Sequence, residues 1–134
     1  MFRSSTTVDE ALDEIVGWAD SLPGDFSIDV VDHDDATTIE LHGALISSAV
    51  EVRASLLLAA DASVLEYRFD VRRPDGGLLW RHDRHLGHED DSGMRGPEHL
   101  HEVRAGEEVR LPTDPVDLTA VRALLVQTNL DLAR

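Results

Sequence analysis

The chain has 134 residues, no Cys, and twelve Arg with no Lys against 27 Asp and Glu, for a formal net charge of −15. That length is one domain, able to bury roughly two-thirds of its unfolded surface without a staple. The missing Cys excludes disulfides, thiolate metal sites and a Cys nucleophile, and no apolar run nears the roughly 20 residues that span a bilayer. The opening MFRSSTTVDEALDEI has no apolar core followed by a cleavage site, so it does not read as a signal peptide. Lys combines a long alkyl stem with a strongly hydrated ammonium. A surface that avoids it and carries many short carboxylates fits molar salt, where a Debye length of roughly 3 Å screens like-charge repulsion. The composition therefore predicts a soluble, cytoplasmic protein of a salt-accumulating halophile, an archaeon.

The elements follow in order. Thr7-Val8-Asp9-Glu10 has the pattern of a capping box. Val8, Leu12, Ile15, Ala19 and Leu22 then recur at helical spacing until Pro23-Gly24. The period changes to two at Phe26, Ile28 and Val30, and a turn is expected at His33-Asp34-Asp35-Ala36. A second strand is expected over 37–43, with Ile39 and Leu41 on one face. A third has Val50, Val52, Ala54, Leu56 and Leu58 inward. Leu45 to Val50 fits neither period.

The clearest hairpin comes next. Leu65, Tyr67, Phe69 and Val71 alternate with Glu66, Arg68, Asp70 and Arg72. The turn is Pro74-Asp75-Gly76-Gly77 and the return strand runs over 78–83. That return strand has two faces, Leu78-Trp80-His82 and Leu79-Arg81-Asp83. Residues 84–98 carry no period and read as a long loop, a type of segment that is often functional. Short strands are expected near 100–104 and 108–111. A closing helix follows, with Asp114 as cap, Pro115 at its first position and Asp117 favouring its dipole. Its inner stripe is Val121, Leu124, Leu125, Thr128 and Leu132. The sum is an α+β domain over residues 1–134: an antiparallel, meandering sheet packed against an N-terminal and a C-terminal helix.

Charge and imidazoles are unevenly spread. Residues 67–104 hold seven Arg and eight acids, a sum of −1, so the remainder carries −14. Five of the seven His fall in that stretch: His82, His85, His88, His99 and His101, mixed with Arg81, Asp83, Arg84, Arg95 and Glu98. Such a set suits metal-independent phosphodiester cleavage. One His takes the proton of a ribose 2′-OH and another protonates the leaving oxygen. An Arg stabilises the growing phosphate charge and Asp83 orients a ring. It also suits a metal site, with His99-x-His101, His88, and Asp83 or Glu98 as ligands. As plain structure, Tyr67, Phe69 and Trp80 read as packing residues, Gly76-Gly77 as a turn, and His33 and His42 as polar surface.

The motif order resembles the TumE family of toxin–antitoxin proteins. The matching residues are Tyr67-Arg68-Phe69, Pro74-Asp75-Gly76, Trp80-Arg81-His82-Asp83, His88, and Pro97-Glu98-His99-Leu100-His101. The resemblance spans roughly residues 36–128. It implies a small toxin encoded beside a helix-turn-helix antitoxin; together with the charge asymmetry, it suggests action on RNA through the His/Arg/Asp set, with no cofactor. Its polar residues would be Asp83, His88, His99 and His101, joined by Arg81 from the reading of the cluster. Arg84 stands where the family commonly has Asn, and Glu98 where another His is common. Two other readings remain open. One is a non-catalytic partner that docks on its antitoxin or forms a homodimer through its sheet edge. The other is a His-rich metal-binding protein.

Overall fold

The computed structural model describes residues 1–85 and 97–133. Among these residues, two helices flank seven strands: α1 (Val8–Asp20), β1 (Gly24–Asp32), β2 (Ala36–Leu45), β3 (Glu51–Ala59), β4 (Val64–Arg72), β5 (Leu78–Arg84), β6 (Glu98–Arg104), β7 (Glu107–Pro112) and α2 (Leu118–Leu132). The strands form one antiparallel sheet in chain order, β1-β2-β3-β4-β5-β6-β7, each paired with its sequence neighbours. This is the α+β meander expected from the alternating pattern. Among the described residues, no helix is long and apolar enough to cross a membrane.

Both helices lie over one sheet face. Ala11, Ile15 and Ala19 of α1 and Leu118, Val121 and Leu125 of α2 are buried with Ile39, Leu41, Val52, Leu56, Leu58, Phe69 and Val71 of the sheet. Each large aliphatic side chain so buried contributes roughly 1.5–3 kcal/mol. Trp18 holds the layers together. Its ring meets Phe69 edge-on with centroids 6.2 Å apart, and its Nε1–H donates to the Leu118 carbonyl (2.7 Å). Trp80 reaches α2 from the sheet, its Nε1–H donating to Thr128 Oγ1 (3.3 Å).

Several local details depart from the sequence pattern. At the start of α1, Thr7 Oγ1 accepts from the Glu10 N–H (3.2 Å). The Glu10 carboxylate returns to the hydroxyls of Thr6 and Thr7 (3.1 and 3.0 Å), which hold its pKa low. The closing helix begins at Leu118 rather than at Pro115, because Asp117, not Asp114, caps it: Asp117 Oδ1 accepts from the Ala120 N–H (2.7 Å). Its buried stripe is Leu118, Val121, Leu125 and Asn129, and Leu124 is exposed. The unassigned stretch after Leu45 is a turn held by Asn129 Oδ1, which accepts from the Ser48 N–H and hydroxyl (3.1 and 2.8 Å). In β4, Leu58 pairs with Val64 and Leu57 with Glu66. Leu65 is the extra residue of a bulge and leaves the inner face to which its spacing assigned it.

Gly43 marks a close approach. A Cβ there would lie 2.0 Å from the Asp25 carbonyl oxygen and 2.5 Å from the Phe26 ring. Gly17, on the exposed side of α1, has nothing within 4 Å of such an atom. Gly43→Ala is therefore expected to lower unfolding free energy by about 2–3 kcal/mol, and Gly17→Ala to raise it by about 1 kcal/mol. Chemical denaturation of the two variants checks the pair of signs.

Candidate active site

The sheet face away from the helices is built by period and register. Along β5, Arg81 and Asp83 alternate with Trp80 and His82, so the first two face outward and the second two face the core. Arg81 pairs with Asp70 on β4 and His101 on β6, and Asp83 with Arg68 and His99. His101 in turn stands opposite Arg110 on β7. Two adjacent rungs of the ladder thus carry Asp70-Arg81-His101 and Arg68-Asp83-His99. Side chains so placed are close enough to interact across strands.

Asp83 is the hub. Its Oδ2 lies 3.1 Å from Arg81 Nε, 3.2 Å from His101 Nε2 and 3.5 Å from His99 Nε2, while Oδ1 lies 3.3 Å from Arg68 Nε. The Arg68 approach has ion-pair distance but not hydrogen-bond alignment, so Oδ1 accepts no hydrogen bond among the described residues. Asp83 and His99 are buried, with residue exposures of 4% and 2%, and the His101 side chain is 11% exposed. A carboxylate so enclosed is tolerated because cations and N–H donors surround it. The imidazoles of His99 and His101 meet edge to face, centroids 5.1 Å apart.

Arg81 braces the same group. Its Nη2 lies 3.2 and 3.3 Å from the two ring nitrogens of His101, its Nη1 3.7 Å from Asp70 Oδ2, and its Nη2 3.9 Å from Glu108 Oε1. Glu108 Oε1 also lies 3.1 Å from His101 Nδ1. Burial, reinforced by the neighbouring Arg81 cation, pushes the His101 pKa below its ordinary value against the pull of Asp83 and Glu108. The ring is therefore neutral near pH 7. A neutral imidazole has one N–H and one lone pair to share among two carboxylates and a guanidinium. Beside Asp83, a depression of about 180 Å³ is lined by Ser55, Tyr67, Arg68, Arg84 and His85 among others.

Four of the five residues singled out from the sequence therefore come together: Arg81, Asp83, His99 and His101. The fifth, His88, lies outside the described residues, as does Arg95 and most of the loop expected over 84–98. The ends of that segment are close, since the His85 N–H donates to the Pro97 carbonyl (3.1 Å). Of the remaining members, Arg84 and His85 border the depression beside Asp83 without contacting its carboxylate in the ion pairs above. Arg84 and Glu98 form an ion pair at 2.6 Å, displaced from the Asp83 face by the alternation of β5 and β6. His82 points into the core, its ring edge-on to Trp80 at 5.8 Å. Sequence reasoning did not single out Asp70, Arg68 or Glu108. The first two were within reach through the hairpin register, while Glu108 required the pairing of β6 with β7.

Comparison with family models, with curated proteins and with solved structures finds no match for this chain.

His82 gives a test of the division between faces. Its Nδ1 is buried and has no hydrogen-bond partner among the described residues, and burial holds its pKa below the usual imidazole value. The unfolded chain takes up this proton near pH 6.5 and the folded chain does not. Folding stability is thus expected to fall as the pH drops through about 6.5, with His101 adding a slope of the same sign. His82→Leu removes a buried unpaired polar atom. It should leave stability at pH 7.5 within about 1 kcal/mol and make the loss toward pH 5 shallower. Urea unfolding of both proteins at the two pH values reads this difference.

Proposed function

We propose that this protein is a toxin-type component of a toxin–antitoxin pair that cleaves RNA at the Arg81, Asp83, His99 and His101 cluster. The observation that carries the reading is the convergence of Arg81, His99 and His101, three residues from two strands, on the buried carboxylate of Asp83. These are the residue types that metal-independent phosphodiester cleavage needs. The order of motifs around them, from Tyr67-Arg68-Phe69 to His99-Leu100-His101, resembles the TumE family and supports the same assignment.

The chemistry balances without an added reagent. Neutral His101 takes the proton of a ribose 2′-OH. The 2′ oxygen forms a bond to phosphorus, the bond from phosphorus to the 5′ oxygen breaks, and His99 supplies the proton to that leaving oxygen. A 2′,3′-cyclic phosphate and a 5′-OH result. Asp83 orients both imidazoles, and Arg81 faces the non-bridging phosphate oxygens, where charge accumulates. The partner in this reading is a helix-turn-helix antitoxin that restrains the toxin. The Lys-free, acid-rich composition supports a home in the cytoplasm of a salt-accumulating archaeon.

Expression of the wild-type protein without its antitoxin is expected to arrest growth and degrade RNA. His99→Ala combined with His101→Ala should lower cleavage by roughly a hundredfold or more, with thermal unfolding confirming that the variant is folded. Arrest that persists undiminished in the folded double variant would remove the assignment.

A further inference from the structure

The same cluster meets a second chemical requirement. We infer that Asp83 Oδ2, His99 Nε2 and His101 Nε2 form a binding site for one divalent transition-metal ion, with Glu108 supporting His101 from behind. The inference takes its location from the reading above, but the binding itself does not depend on RNA cleavage.

Three observations converge. First, each residue offers one ligand atom, and the three atoms lie within 4.8 Å of one another. The distances from the carboxylate oxygen to the two ring nitrogens are 3.2 and 3.5 Å. Neighbouring ligand atoms around a tetrahedral ion are separated by about 3.3 Å when the bonds are about 2.0–2.1 Å long. Both distances from the carboxylate oxygen are thus already close to the separation an ion requires.

Second, the ligands stand on rigid backbone. Asp83 and His99 are direct partners on neighbouring strands, and His101 follows two residues along the same face. Because the sheet continues to β4 on one side and β7 on the other, neither ligand-bearing strand is an edge. Sites built on paired strands hold their geometry better than sites on loops.

Third, the arrangement includes an outer carboxylate. Glu108 Oε1 is 3.1 Å from His101 Nδ1, the ring nitrogen that faces away from Asp83. Metal-bound His commonly donates its second N–H to such a group, which fixes the ring and its tautomer. Here one N–H cannot serve both Glu108 and Asp83. An ion on Nε2 leaves Nδ1–H to Glu108 and satisfies both sides of the ring.

Arg81 is the competing cation. Its Nε holds Asp83 Oδ2 at 3.1 Å, and its Nη2 lies against His101. Asp70, on the same rung 3.7 Å from Nη1, gives the guanidinium another partner when an ion takes Asp83. Two imidazoles and one carboxylate favour Zn²⁺, Co²⁺ or Ni²⁺ over Mg²⁺ and Ca²⁺, which prefer all-oxygen sets. Three protein ligands leave at least one position for water. The ion uses the lone pairs that would carry protons during RNA cleavage, so loading it withdraws both imidazoles from that role.

The test uses the full, untagged chain. Calorimetric titration with Zn²⁺ after chelator treatment is expected to show one ion per chain. Asp83→Ala and His101→Ala should each weaken it at least a hundredfold. Glu108→Gln, which leaves all three ligands in place, should weaken it roughly 10–100-fold. Should a ligand variant unfold, the wild-type protein still decides the matter: paramagnetic Co²⁺ must perturb the imidazole NMR signals of His99 and His101 before those of His33 and His42. No binding, or binding that spares His99 and His101, overturns the site. RNA cleavage that survives chelation and declines as Zn²⁺ loads supports both proposals. Cleavage abolished by chelation and restored by Zn²⁺ overturns the metal-free chemistry while supporting the metal site.

Discussion

A carboxylate with almost no contact with water must be met by positive or hydrogen-donating groups, and Asp83 is that carboxylate. Arg81 comes from its own strand, Arg68 from one neighbour, and His99 and His101 from the other. An uncompensated charge here would cost several kcal/mol, comparable with a large part of a small domain's net stability. The polar cluster and the fold are therefore one problem. The ladder positions the partners, and the partners make it tolerable to hold Asp83 away from water.

The meander is what makes this arrangement available. Each strand pairs with its sequence neighbours, so side chains alternate between two sheet faces, and β2, β3 and β4 supply the buried core of the helix-covered one. On the covered face, Trp18 and Trp80 join the helices to the sheet by both packing and hydrogen bonding. On the polar face, rungs of opposite charge run across β4, β5 and β6. The two faces explain why residues adjacent in sequence differ so sharply. His82 lies against the Trp80 ring and Asp83 lies among cations, although one peptide bond separates them.

Bulges and turns set the limits of reading such a pattern from the chain alone. The inner stripe of β4 was legible at Tyr67, Phe69 and Val71, but Leu65 sits at a bulge, where an extra residue breaks the period of two. The start of α2 was displaced by three residues. Asp114 and Asp117 are both competent caps, and the selected one is the residue whose carboxylate reaches a free helix N–H. Glu108 escaped notice because its place depends on the tight turn at Ala105-Gly106, both with positive φ, which sets Arg104 opposite Glu107 and Val103 opposite Glu108. Neither residue of that turn carries chemistry, yet it sets which carboxylate faces His101.

The chain by itself determined the strand–helix order, the alternation that sends Arg81 and Asp83 to one face, and the concentration of imidazoles in one stretch. These are local properties, written in spacing and composition, and they survive without knowledge of distant contacts. Only the tertiary structure decided which imidazoles belong together. His82 and Asp83 are neighbours in sequence, whereas Asp83 and His99 are sixteen positions apart. The second pair meets because cross-strand hydrogen bonds hold partners side by side, while the pleat sends consecutive residues to opposite faces.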